Sequence, residues 1–120
     1  MKLRNLLLIA LVAVVFCGCH SYQPTSITVA SYNLRNANGS DSAKGNGWGQ
    51  RYPYIAQIVQ FHGFDIFGTQ EGKYPQLQDL RQAMPGYDYI GVGRDDGKRA
   101  GEHSAIFYRT DKFEVLEHGD

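Results

Sequence analysis

Apolar positions along the chain fall into blocks of two different periods, and the periods name the elements. In ITVASYN, Ile27 to Asn33, residues Ile27, Val29 and Ser31 alternate with Thr28, Ala30 and Tyr32, and β-branched types dominate, so the stretch reads as a strand. Leu34 to Gly49 has glycines, asparagines and serines but no period; it reads as a long loop, and long loops in compact domains often carry function. From Gln50 to His62 the period lengthens. Ile55, Ile58, Val59 and His62 share one helical face. Pro53 suits the first turn, where a missing N–H is no loss, and Gly63 is placed to end the helix. FDIFGTQE, Phe64 to Glu71, is a second strand. Pro75 opens a second helix with Leu77, Leu80 and Met84 on one face and Pro85-Gly86 as its stop. YDYIGVG is a third strand and RDDGKRAGEH a polar loop. SAIFYR and KFEVLE read as two strands joined by a tight turn at Thr110-Asp111. Strands alternating with helices predict a layered α/β fold, with no internal repeat and no low-complexity tract.

The first residues follow another pattern. Lys2 and Arg4 precede an apolar run from Leu6 to Phe16. The run is well short of the roughly 20 residues that span a bilayer, and its length suits the apolar region of a signal peptide. It ends in FCGCHSYQ, where a small residue, Gly18, stands before Cys19. That ending resembles a bacterial lipoprotein signal, so residues 1–19 are expected to be a leader with Cys19 as lipid acceptor. An ordinary cleaved signal peptide is the plainer alternative. Residues 20–26 then form a polar tether, and the domain proper spans 27–120. A lipid-anchored protein of the cell envelope, on the periplasmic side, is the implied location, with the membrane as a partner through the anchor.

Both cysteines, Cys17 and Cys19, lie in that leader, so no disulfide can staple the mature body and it must fold on its core alone. The chain has 120 residues, enough for one small domain. Lysines plus arginines equal aspartates plus glutamates, 12 of each, and losing Lys2 and Arg4 leaves a slightly acidic body. Such a body has no general pull on nucleic acid, and any phosphate it binds must be held by local groups, with a metal.

Two strands end in oxygen-bearing side chains, SYN at Asn33 and TQE at Glu71. Sites in α/β sheets form beyond the carboxyl ends of strands. If these two strands are neighbours, an amide oxygen and a carboxylate converge, a hard-oxygen pair suited to Mg²⁺ or Mn²⁺. Spacing alone leaves two alternatives open: Glu71 as a solvated acid at a helix N-terminus, and Asn33 as a turn former. Trp48 reads as a cap on the core, His62 as a packed histidine, and the GVG glycines as turn geometry.

Taken in order, SYNLRN, GWGQRYPYIAQIV, FDIFGTQE and YIGVGRDDGKRAGEHSAIFYRTDKFEVLE resemble the endonuclease/exonuclease/phosphatase family, above all its secreted bacterial branch that is similar to deadenylases. The likeness runs from Ile27 to Glu117. It implies the first half of a four-layer α/β sandwich, in which two mixed β-sheets pack face to face with helices outside. It also implies a Mg²⁺-dependent (or Mn²⁺-dependent) phosphoesterase, with Glu71 binding the metal and Asn33 helping to place metal and scissile phosphate. Arg51 matches a recurrent arginine with a structural or near-substrate role. Arg94, Glu102 and His103 are the polar residues of the later loop to watch, Arg94 as a partner for a phosphate oxygen. The substrate class implied is a phosphate ester: nucleic acid, sugar phosphate or phospholipid headgroup. A monomer is expected.

The family pattern also contains an Asp-x-Asn pair and a late Asp-His pair, and neither occurs after Glu71. The expectation is therefore an N-terminal portion that is inactive alone, with Asp120 a break rather than a natural stop. A non-catalytic envelope binding module is the alternative if the chain does end there.

Overall fold

The computed structural model describes residues 26–119. The leader, Cys19 and nearly all of the tether lie outside the described residues.

Nine elements follow one another: β1 (Val29–Asn33), α1 (Gly39–Ala43), α2 (Trp48–His62), β2 (Ile66–Gln70), β3 (Gly72–Lys73), α3 (Tyr74–Ala83), β4 (Tyr87–Ile90), β5 (Glu102–His103) and β6 (Ile106–Arg109). The main sheet is four-stranded and mixed, in the order β1-β2-β6-β4. β1 and β2 run parallel with Asn33 opposite Gln70, so their carboxyl ends finish together. β6 is antiparallel to both β2 and β4. β3 and β5 make a small separate ladder in which Gly72 faces His103 and Lys73 faces Glu102. The α/β class read from the sequence is the one observed.

Alternation along the strands sorts their side chains onto two faces. Phe67, Ala105 and Phe107 go to one face, where they join Ile55, Ala56 and Val59 of α2, Leu77 and Leu80 of α3, and Met84. The Phe67 and Phe107 rings stack across neighbouring strands with centroids 5.0 Å apart, and Tyr89 lies 5.1 Å from Phe107. Such aromatic pairs add to plain area burial. The other face holds Val29, 68% exposed, and Ile106, 44% exposed, with no helix over it among the described residues.

Several local expectations change. KFEVLE forms no strand: residues 113–119 carry no regular structure, although the chain does turn at 110–112. The reason is in the sheet, because β6 already spends both of its edges on β2 and β4 and leaves none for a hairpin mate. The stretch from Leu34 to Gly49 is not all loop. Asn38 caps the one-turn helix α1 by accepting from the backbone N–H of Asp41 at 2.8 Å, a strong local signal that the glycine-rich composition masks. α2 begins at Trp48 after Gly47, so Pro53 sits inside the helix rather than in its first turn. The carbonyl it leaves without an N–H belongs to exposed Gly49, where solvent can serve it. The buried seam of α2 is Ile55, Ala56 and Val59. Ile58 lies on its flank, and His62 is exposed rather than packed, stacked on Phe64 at 5.8 Å. Gly63 ends the helix as expected, in the left-handed conformation at φ 61°. Leu77, Leu80 and Met84 are fully buried as expected.

Candidate active site

β1 and β2 deliver Asn33 and Glu71 to one spot. The Asn33 side-chain amide donates to Glu71 Oε1 at 2.8 Å, and the Asn33 carbonyl oxygen Oδ1 accepts from the backbone N–H of Arg35 at 2.7 Å. The other carboxylate oxygen of Glu71 accepts from the backbone N–H of Asn36 at 3.3 Å. These donors, the Asn33 amide first, and then the nearby Arg35 guanidinium hold the Glu71 carboxyl below its ordinary value, so it is charged at neutral pH.

The backbone at this spot is unusual. Glu71 and Arg35 are the non-glycine residues with positive φ among the described residues, at 62° and 52°. Each follows the end of a parallel strand by one or two residues. Left-handed backbone costs an L-residue about 1–2 kcal/mol, and such outliers cluster at functional sites.

The loop from Leu34 to Asn38 is clamped from below. Arg51 donates to the carbonyls of Leu34 at 2.6 Å, Arg35 at 3.0 Å and Asn46 at 3.2 Å, and its guanidinium lies 5.5 Å from the Trp48 ring centre. Of its two expected roles, the structural one is what these contacts describe. Trp48 packs against the core as expected, its indole N–H donating to Asp79 at 2.8 Å. Gln76, almost fully buried, accepts from the N–H groups of Ala37 and Lys73 at 2.9 and 3.1 Å and donates to the Arg35 carbonyl.

At the rim, Arg35 makes a two-pronged ion pair with Asp41 at 2.6 and 2.7 Å. Asp41 is buried, is also held by Asn38, and is drawn down to about 2 by that guanidinium. The cleft between these groups measures about 520 Å³ and is lined by Asn33, Arg35, Asn36, Asn38 and Glu71.

Glu102 joins the network, accepting from Asn36 Nδ2 at 3.0 Å and from Arg94 at 3.0 Å. Arg94 therefore faces Glu102 and Asp95 and reaches the Glu71 centre only through Glu102 and Asn36. Glu71, Arg94, Glu102 and His103 all border a second recess of about 730 Å³ against the uncovered sheet face. His103 is buried on β5, and neither ring nitrogen has a hydrogen-bond partner among the described residues. Sequence reading missed Arg35, Asn36, Asp41 and Gln76. Only Gln76 left a signal: it lies one turn before Leu80, on the buried face of α3.

No family model matches the chain, and no curated protein matches it. Solved structures do. A mannosyl-6-phosphatase of Bacteroides thetaiotaomicron is 76% identical over 78% of this chain, with a TM-score of 0.77. An endonuclease/exonuclease/phosphatase family protein from the same organism is 78% identical over 82%, with a TM-score of 0.79. The chain matches the N-terminal part of structures of the endonuclease/exonuclease/phosphatase family. An endonuclease/exonuclease/phosphatase from Bacteroides vulgatus, 48% identical over 78% of the chain, agrees, with a TM-score of 0.73. The chain spans 35% of the length of each of these three structures.

Proposed function

We propose that the protein acts in a metal-dependent phosphoesterase that hydrolyses a phosphate monoester on a hexose. What carries the reading is the ionised Glu71, joined to Asn33 at the finishing ends of two parallel strands, in a chain 76% identical to a mannosyl-6-phosphatase.

The donor set fits a hard divalent cation. The cleft offers one charged carboxylate and several amide oxygens, and no trio of histidine, cysteine, aspartate or glutamate side chains is gathered among the described residues. Mg²⁺ commonly takes one or two carboxylates and keeps several waters, so a sparse set suits it, and Mn²⁺ takes the same donors. Glu71 would hold the ion. Asn33 would act mainly by fixing the Glu71 carboxylate, since its Oδ1 already accepts from Arg35 N–H. When bound, such an ion supplies charge to neutralise the phosphoryl oxygens. The residues do the rest: Gln76 and Arg51 fix the loop, and Arg35, steered by Asp41, presents a guanidinium at the rim, matched to phosphate. Lipid attachment at Cys19 and an envelope location belong to the same proposal and rest on the leader.

In the native-length protein, hydrolysis of mannose 6-phosphate should vanish with EDTA, return with Mg²⁺, and be lost in Glu71→Ala. Full activity in Glu71→Ala would remove Glu71 from the site.

A further inference from the structure

A second cleft of about 500 Å³ adjoins the candidate centre, and Asn36 borders both. Its walls are Tyr74, Lys73, Arg99, Arg94, Asp95 and Glu102. We infer that this cleft takes the sugar ring of the substrate whose phosphate lies at Glu71. The inference rests on the phosphoesterase reading and adds to it the residues that select the leaving group.

Position is the first argument. Asn36 donates its backbone N–H to Glu71 and its side-chain amide to Glu102, so one residue separates the phosphate end from the second cleft. A hexose carrying its phosphate on the primary carbon needs a short offset of that kind between its two ends.

Chemistry is the second. Arg94 is already neutralised by Glu102 at 3.0 Å and Asp95 at 3.3 Å. This wall interleaves carboxylate acceptors with guanidinium and ammonium donors. Sugar hydroxyls both give and accept hydrogen bonds and match such a wall. The Arg99 guanidinium covers one face of Tyr74, 4.6 Å from the ring centre, with no ion-pair partner among the described residues; when it swings aside, that face is open to the C–H side of the sugar ring. Arg99 is thus available to turn toward a ligand hydroxyl or to stack over the ring.

Order is the third. The 94–101 segment is a braced wall. Asp96 accepts from the N–H groups of Lys98 and Ala100 at 2.8 and 2.9 Å, and Asp95 lies against Gly101, where a Cβ would come within 2.5 Å of its carboxylate. Preorganised polar walls lose little on binding.

The test compares methyl α-mannoside 6-phosphate with p-nitrophenyl phosphate on the native-length protein. For Arg99→Ala and Tyr74→Ala, the ratio of kcat/KM for the sugar ester to that for the aryl ester should fall about tenfold, the worth of one lost contact, mostly through KM. An unchanged ratio in both variants overturns the inference. Saturation-transfer NMR with methyl α-mannoside in EDTA reads the cleft without metal or turnover. Transfer that weakens in Arg99→Ala supports the inference, and no transfer to the wild type overturns it. If the wild type hydrolyses neither ester, the phosphoesterase reading fails, and the NMR result still decides the cleft.

Discussion

Glu71 does two things that pull against each other. Its carboxylate is the one charged oxygen group poised in the candidate cleft, and its backbone sits where an L-residue is strained. Glu71→Gly and Glu71→Ala both lose the carboxylate, but only glycine adopts φ 62° freely. The glycine variant should therefore be the more stable of the two by about 1 kcal/mol, measured by urea titration. Equal stabilities would mean that the backbone relaxes in the variants. Gln76 is the second residue worth changing. Gln76→Leu keeps the bulk but strands the N–H groups of Ala37 and Lys73, at about 1–3 kcal/mol for each that water does not reach. It should also weaken Mg²⁺ binding by calorimetry, because the loop carrying Asn36 is released. Intact Mg²⁺ affinity would show that the loop is held without Gln76.

Elements explain why the site stands where it does. α3 is anchored by Leu77 and Leu80, both fully buried, and its first turn presents Gln76 to the site loop. Leu80→Ala should cost about 2–5 kcal/mol in denaturant unfolding, as is usual for a large-to-small core change. A cost near zero would place Leu80 outside the core. Gly93, bridged to His103 of β5, sits where two backbones approach closely. A Cβ at Gly93 would stand 2.2 Å from the Ala100 carbonyl oxygen. Gly93→Ala must push the 94–101 wall outward, so it should lower the melting temperature and reduce mannoside binding together. Losing either alone would separate the wall from the fold.

For the molecule as a whole, pH is the informative variable. The carboxyls of Asp41, Asp65, Glu71, Asp96 and Asp111 are all lowered by hydrogen bonds or paired cations. A carboxyl whose folded value lies below its unfolded one adds stability that is complete above the unfolded value and is lost as pH falls through the folded one. From ordinary values of 3.8 for aspartate and 4.5 for glutamate, with Asp41 at about 2, stability should be flat near neutrality and decline from about pH 4.5 to 2. Thermal melts across that range test it, and Asp41→Asn should flatten the lower part of the decline. A decline as steep in Asp41→Asn as in the wild type would remove Asp41 from the account.

The order of β1, α2, β2, α3, β4 and β6, the apolar face of α3, the glycine end of α2 and the pair Asn33 and Glu71 were legible in the sequence. Each is set by neighbours along the chain: a period of two or 3.6, a residue that tolerates left-handed backbone, a polar group where an apolar run stops. What the tertiary structure decided was pairing. Only the placement of β6 between β2 and β4 explains why KFEVLE has no strand to join. Only the parallel register of β1 and β2 turns two distant polar residues into a 2.8 Å contact. Arg35, Asn36 and Asp41 gained their roles the same way, in a loop without period whose shape is dictated by Arg51 and Gln76 reaching in from two helices. A sequence pattern reports which face of an element is apolar. It carries no record of which carbonyl a remote side chain will reach, because that depends on how the elements pack.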